Sequence, residues 1–183
     1  MQENTAQISN RAVAMSQVSF VFATGESWLD SLVTTVTKSR WSHVALRFDA
    51  EDLLVESLVF RGLILQCGKK YEDWPVSQTI SREIPDMHYK AMLVLSRSWG
   101  EQNIPYGYAT CAAIGLKELL GLRIGKAALK LSPGKEGSTL VCSEMLVKLW
   151  RIAFPDFLSA MDSRLVSPDE FYRALLNSGE DSK

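Results

Sequence analysis

The chain has 183 residues, a formal net charge of −1, 46% hydrophobic residues and 22% charged ones. That balance suits a globular domain with a substantial core and offers no excess positive charge for nucleic acid or an anionic bilayer. Three cysteines without a C-x-x-C pair, and two histidines distant from them in sequence, argue against a disulfide framework or a structural metal.

Residues 1–17 are polar and lack the charged start and apolar core of a signal peptide, so they read as a flexible N-terminal arm. No apolar run approaches the ~18 residues of a membrane span. The expectation is therefore no integral membrane span and a cytoplasmic location, with export by another route left open. No cofactor is expected.

Val18 to Ala23 reads as a short buried strand, followed by a turn at Thr24-Gly25-Glu26. Ser27 is placed to cap a helix running through Trp28, Leu29, Leu32, Val33 and Val36, with Lys38 and Arg40 at its positive end. Ser42 to Val59 reads as a hairpin around the acidic turn 49–52. The apolar set Val44, Leu46, Phe48, Leu53, Val55 and Val59 shares one face, which leaves His43 and Glu56 together on the other. With Asp49-Ala50 as the centre the two are directly opposite; a shift of one residue makes them diagonal neighbours. Gly62–Cys67 reads as another short strand, with Cys67 structural. Tyr71–Pro85 reads as loop, in which Trp74-Pro75 is placed to line a groove. Tyr89–Ser96 reads as a strand with His88 at its edge on the surface.

The Ala- and Leu-rich stretch from Ala109 to Leu122 should be helical, with Cys111 as a packing residue. Gly121 to Gly137 carries Lys126, Lys130 and Lys135 and reads as a mobile basic connection. Next, Val141, Met145, Leu146, Leu149 and Ala153 recur at helical spacing, with Ser138 or Thr139 as N-cap. Cys142 then falls in the first turn, where free N–H groups and the helix dipole favour thiolate over thiol. The same position also suits a small buried apolar residue. A last helix starts at Ser167-Pro168-Asp-Glu170, and its apolar face, Phe171, Ala174, Leu175 and Leu176, is expected near the first helix. Residues 177–183 read as a frayed tail, leaving 18–176 as one domain.

Ser42-His43-Val44, Glu56-Ser57, Tyr106-Gly-Tyr108, Val141-Cys142-Ser143-Glu144 and Val166-Ser-Pro168 together resemble the permuted NlpC/P60 (YiiX/YaeF-like) papain-like cysteine hydrolases. The order His, polar residue, Cys marks the permutation, and the resemblance spans roughly residues 18–172. It implies an α+β fold, the circularly permuted papain-like one, with an antiparallel sheet packed against helices. It implies Cys142 as nucleophile, His43 as general base and Glu56 as the residue orienting that base. By the same resemblance Tyr106 and Tyr108 upstream of the cysteine, and Trp41 and Ser42 ahead of the histidine, are candidate substrate-binding residues. The chain departs from the family pattern in having Met15-Ser16-Gln17 where many members carry Gly-Asp, and Gly107 where an acid usually follows the tyrosine.

The implied chemistry is attack by the Cys142 thiolate on a carbonyl, a thioester intermediate, and its hydrolysis by water activated at His43. The Cys142 N–H is a candidate oxyanion donor. The implied substrate is a peptide or a small acyl or amide compound, such as a cell-wall peptide or acyl-amide. Two other classes compete. A catalytically inactive binding module would keep Cys142 buried or out of contact with His43. A structural protein of phage type would show an exposed aromatic patch around Trp41, Trp74 and Trp99 and no open groove.

Overall fold

Val18, Phe20 and Phe22 alternate with Ser19, Val21 and Ala23, so a strand through them has two differently sized faces. In the computed structural model, which describes residues 13–72, 74, 76–131 and 138–178, this segment is β1 (Met15–Ala23), the fourth strand of a five-stranded sheet. The others are β2 (His43–Phe48), β3 (Leu53–Leu58), β4 (Gly62–Cys67) and β5 (Ser77–Pro85). Their order is β4-β3-β2-β1-β5, and every pairing is antiparallel. Among the described residues six helices accompany them: α1 (Trp28–Thr37), α2 (Asp86–Glu101), α3 (Tyr108–Leu120), α4 (Leu122–Leu131), α5 (Cys142–Ala153) and α6 (Pro168–Ser178). The class is α+β.

The larger face of the sheet, with Phe20, Phe22, Val44, Leu46, Phe48 and Val55, forms the main core with buried residues of α2, α5 and α6. Phe20 meets Trp150 edge-on at 4.9 Å and Phe171 at 5.3 Å, so α5 and α6 converge on one strand. Helix α5 is buried over most of its length, Ser143 and Glu144 included, as befits a helix enclosed on several sides. The opposite face buries a smaller cluster, Val21, Ala23, Ala45, Leu54 and Tyr71, with Trp74 packed against it.

Local chemistry explains most boundaries. Ser27 and Asp30 form a reciprocal capping box at the start of α1, which ends at Lys38 in the left-handed region (φ 50°). Ser167 and Glu170 do the same for α6: the Glu170 carboxylate accepts the Ser167 N–H at 2.8 Å, and Pro168 fills the first helical position. Gly62 sits at φ 71°, where a Cβ would collide with the Ile104 carbonyl that accepts the Leu63 N–H at 2.9 Å.

Five expectations are corrected. Tyr89–Ser96 lies in helix α2, not a strand, because Tyr89, Met92, Leu93 and Ser96 are buried at helical spacing. Residues 77–85, expected as loop, form edge strand β5, in which only Ile80 and Ile84 are buried and polar residues fill the rest. Residues 122–131 of the expected basic connection are helix α4; residues 132–137, including Gly137, lie outside the described residues. Strand β1 begins at Met15, inside the segment expected as an arm. The face of α6 packs through Phe171 on Phe20, Phe22 and Phe157 rather than on α1.

Candidate active site

The hairpin register decides how His43 and Glu56 meet. Leu46 faces Val55 and Phe48 faces Leu53, so the turn is centred one residue beyond Asp49-Ala50, and the pair are diagonal neighbours. Their side chains close that diagonal: His43 Nε2 lies 2.9 Å from Glu56 Oε2. Glu56 is fully buried, with no accessible surface. Its Oε2 also accepts the Tyr71 hydroxyl at 2.5 Å, and its Oε1 accepts Lys70 Nζ at 2.6 Å and the Gln66 amide. Four donors thus converge on one carboxylate. Burial alone would raise its pKa, but His43, Lys70 and Tyr71 outweigh burial and bring it down to about 2.

Cys142 reaches the same place from the other side of the sheet. Leu140, two residues before it, is held by three bonds: the Ser57 hydroxyl donates to its carbonyl at 2.7 Å, Gly107 N–H donates to that carbonyl at 3.1 Å, and its own N–H donates to Pro105. These bonds tie the start of α5 to β3, one residue beyond Glu56, and to the segment carrying Tyr106. Ser143 Oγ donates to the Val166 carbonyl at 2.6 Å and fixes the first turn to the chain entering α6. The N-cap is Val141, without a side-chain cap, rather than Ser138 or Thr139. Glu144, in the first turn, forms an ion pair with Lys148 Nζ at 2.7 Å, and burial pushes its carboxyl pKa up despite Lys148 and the Val141 N–H. That is a helix-start role, apart from the catalytic candidates.

The thiol and the imidazole stabilise each other's charged forms. Burial would lower the His43 pKa, yet Cys142 and then Glu56 raise it to about 9. Burial would raise the Cys142 pKa, yet His43 and the backbone N–H groups of Val44 and Ser143 hold it below the usual thiol value. Because Nε2 faces Glu56, Nδ1 is the ring nitrogen left for the thiol. The result is an alternating row, thiolate, imidazolium, carboxylate and the Lys70 ammonium. Cys142 retains 6% exposure and the His43 side chain 12%, so both are enclosed but reachable.

Both open onto a cavity of about 780 Å³. Ser42, Tyr106 and Tyr108 line it as well. Ser42 Oγ donates to Asp30 Oδ1 at 2.5 Å, and Tyr108 Oη, at the mouth, accepts the Phe60 N–H at 2.9 Å. Trp41 does not belong to the site. It is fully buried in the core at 5.8 Å from Phe22 and 5.5 Å from Tyr172, because β2 begins after it and its ring turns inward.

Comparison with known proteins finds no matching family model, curated sequence or solved structure.

Gln66, Lys70, Tyr71 and Asp30 were not anticipated as site residues. Lys70 and Tyr71 stand in a 3-10 turn (Gly68–Tyr71) next to a stretch that carries no strand period; only folding returns them to Glu56. Asp30 was legible as a first-turn acid of α1. Burial would raise its pKa, but hydrogen bonds from Ser27 and Ser42 hold it below the usual carboxylate range. Two cysteine expectations also change. Cys67 is exposed beside Asp52, and Cys111 lines the cavity against Tyr106, with burial pushing its thiol pKa up.

Proposed function

We propose that the chain is a cysteine hydrolase that cleaves an amide, ester or thioester through a Cys142 thioester, and that its fold is the permuted papain-like one. The observation that carries this reading is the row Cys142, His43, Glu56, in which each member shifts the next toward the charge that thiol chemistry needs. The order of the three along the chain, with the cysteine opening a helix and the histidine opening a sheet strand, supports the fold assignment.

The steps follow from the pKa shifts. The Cys142 thiolate attacks the carbonyl carbon, the C–S bond forms, and the oxyanion falls near the free N–H groups that open α5. Imidazolium His43 gives its proton to the leaving nitrogen or oxygen as that bond breaks. In the resulting thioester Cys142 carries no charge, and the chief influence raising the His43 pKa is gone. His43 then becomes basic enough only to accept a proton from water near neutral pH, which is what deacylation requires. Glu56 stays ionised throughout and keeps the ring in one orientation.

The binding-module reading predicts Cys142 buried or out of contact with His43. Cys142 is buried, as that reading allows, but it and His43 shift each other's pKa, which favours contact and the hydrolase reading. The structural-protein reading requires an exposed aromatic patch. Trp41 is in the core, Trp74 packs on Tyr71 at 4.7 Å, and Trp99 packs against the main core.

Alkylation of the three cysteines against pH, followed by mass spectrometry in the wild type and His43→Ala, tests the reading. Cys142 is expected to react well below pH 8, ahead of exposed Cys67, and to lose that advantage in His43→Ala. A Cys142 that reacts no faster than Cys67, or that ignores the substitution, overturns it.

A further inference from the structure

The cavity has two kinds of wall. Its polar lining is tied to the reactive residues: Ser42 precedes His43, Asp30 is bonded to Ser42, and Lys70 is bonded to Glu56. The wall supplied by α3 is Cys111, Ala112, Ile114, Gly115, Leu116 and Leu119, whereas Thr110, Lys117 and Glu118 of the same helix do not line it. Across from it, α1 contributes Leu32, Val33 and Val36. Gly115 lets the two helices close on each other, since a Cβ there would stand 2.9 Å from Val36 Cγ1. Leu32, Phe60, Tyr108 and Leu119 line the cavity and are also exposed, so its mouth is apolar too.

Among the described residues lining the cavity from Leu32 to Thr37 and from Cys111 to Leu119, the polar side chains are Thr37, whose hydroxyl already donates to the Val33 carbonyl, and Cys111. A peptide there would leave most of its backbone N–H and C=O groups unbonded, a cost that extended peptides avoid by pairing with a sheet edge. An alkyl chain carries no such groups. The volume lies within the ~300–1,000 Å³ range of cavities that enclose small ligands, and it is continuous with the thiol.

We propose that the α1–α3 cavity holds the alkyl chain of an acyl substrate, whose carbonyl is delivered to Cys142. The inference rests on the hydrolase reading above and narrows it from acyl transfer in general to long-chain acyl esters, thioesters or amides. A chain of this kind is found on a dispersed ester or in a bilayer lipid, and the site chemistry is common to both.

The test uses the whole protein and a series of N-alkyl chloroacetamides from methyl to dodecyl, with a chloroacetylated tripeptide as the polar counterpart. The rate of thioether formation at Cys142 is read by mass spectrometry, with exposed Cys67 as the internal reference. The rate constant is expected to rise roughly fourfold per methylene, the factor set by burying one CH₂, until the chain fills the cavity. The tripeptide should gain nothing over the methyl probe. Ala112→Trp, placed at an exposed position of α3 so that folding is preserved, should move the plateau to shorter chains. Presenting the dodecyl probe in phosphatidylcholine vesicles separates the sources: a faster rate there assigns a bilayer lipid, and a slower one a dispersed ester. Rates that are flat across the series while Cys142 still outpaces Cys67 overturn the acyl-chain inference and leave the hydrolase reading intact. A Cys142 no faster than Cys67 with any probe removes both.

Discussion

Among the buried lysine–carboxylate pairs of the described residues, two do opposite things. In one, Lys70 meets Glu56 at 2.6 Å; in the other, Lys117 meets Glu170 at 2.5 Å. In the first the carboxylate is the buried member, and its free side leads to an imidazole and then to a thiol at a cavity. In the second the lysine is the buried member. Its remaining bonds go to the Leu165 carbonyl at 2.8 Å and to Glu118 at 2.8 Å, holding α3 against the chain that enters α6. A buried anion with a titratable neighbour creates chemistry, because it draws His43 toward the protonated form. A buried cation whose neighbours are a backbone carbonyl and partly exposed acids makes only a fastening. Burial of a charge is therefore no sign of function until its neighbours are known.

The comparison breaks most visibly at Glu56. Glu56→Gln removes the anion and keeps the shape, so turnover should fall by about 10²–10⁴-fold, the scale on which a neutralised orienting acid acts. The His43 pKa should drop below about 9, with Cys142 still holding it above its ordinary 6.5. The alkaline limit of turnover, where His43 must give a proton to the leaving group, should drop with it. Stability carries the same signature. The raised His43 pKa contributes stability that is complete below about pH 6.5 and lost as pH rises through about 9. The lowered Glu56 pKa contributes stability that is complete above about pH 4.5 and lost as pH falls toward 2. The wild type should therefore show its highest melting temperature between about pH 4.5 and 6.5 from these two groups, and Glu56→Gln should flatten the acid limb. A substitution that leaves both profiles unchanged would show that the carboxylate is not coupled to His43.

Lys117→Met examines the other pair. Truncating a buried charged partner costs about 3–5 kcal/mol when both groups are enclosed, and Glu170 is one-third exposed, so about 3 kcal/mol is expected in a denaturant titration. The pH profile of Cys142 alkylation should not move. If it moves, the fastening and the reactive row are one network, and the contrast between the pairs fails.

The two pairs also differ in how far the sequence exposes them. Cys142, His43 and Glu56 are each readable from local pattern: a cysteine at a helix start, and two polar residues on the far side of an apolar hairpin face. Strand β5 is hidden because an edge strand with one buried face needs only Ile80 and Ile84 to anchor it, and its other residues are free to be polar. Helix α2 is hidden because the apolar run at 91–95 suits a strand as well as a helix, and only the buried set Tyr89, Met92, Leu93 and Ser96 decides. Lys70, Tyr71 and Gln66 have no local mark at all: Gln66 acquires its role when β4 pairs with β3, and Lys70 and Tyr71 when the turn after β4 returns to Glu56. The cavity between α1 and α3 is likewise a product of two helices distant in sequence, and of Gly115 letting them close.

Lys70→Met is the finest probe of the contrast. Methionine keeps most of the stem that covers Tyr71, where the ammonium now lies 4.8 Å from the ring centroid. Glu56 would retain the donors Gln66, Tyr71 and His43, so it should remain ionised. The lysine side chain is 28% exposed, which limits the loss to about 1 kcal/mol, or roughly fivefold in turnover. The direction of the pH shift carries more than its size. Removing a cation from the far side of Glu56 favours protonated His43, so the alkaline limit of turnover should stay or rise slightly. Glu56→Gln should lower that limit, and Lys117→Met should leave it where it is. Three substitutions at two lysine–carboxylate pairs thus predict a fall, a small rise and no change in one measured pH limit. Should Lys70→Met lower the limit as Glu56→Gln does, Glu56 depends on the lysine for its charge, and the row would need all four members to act.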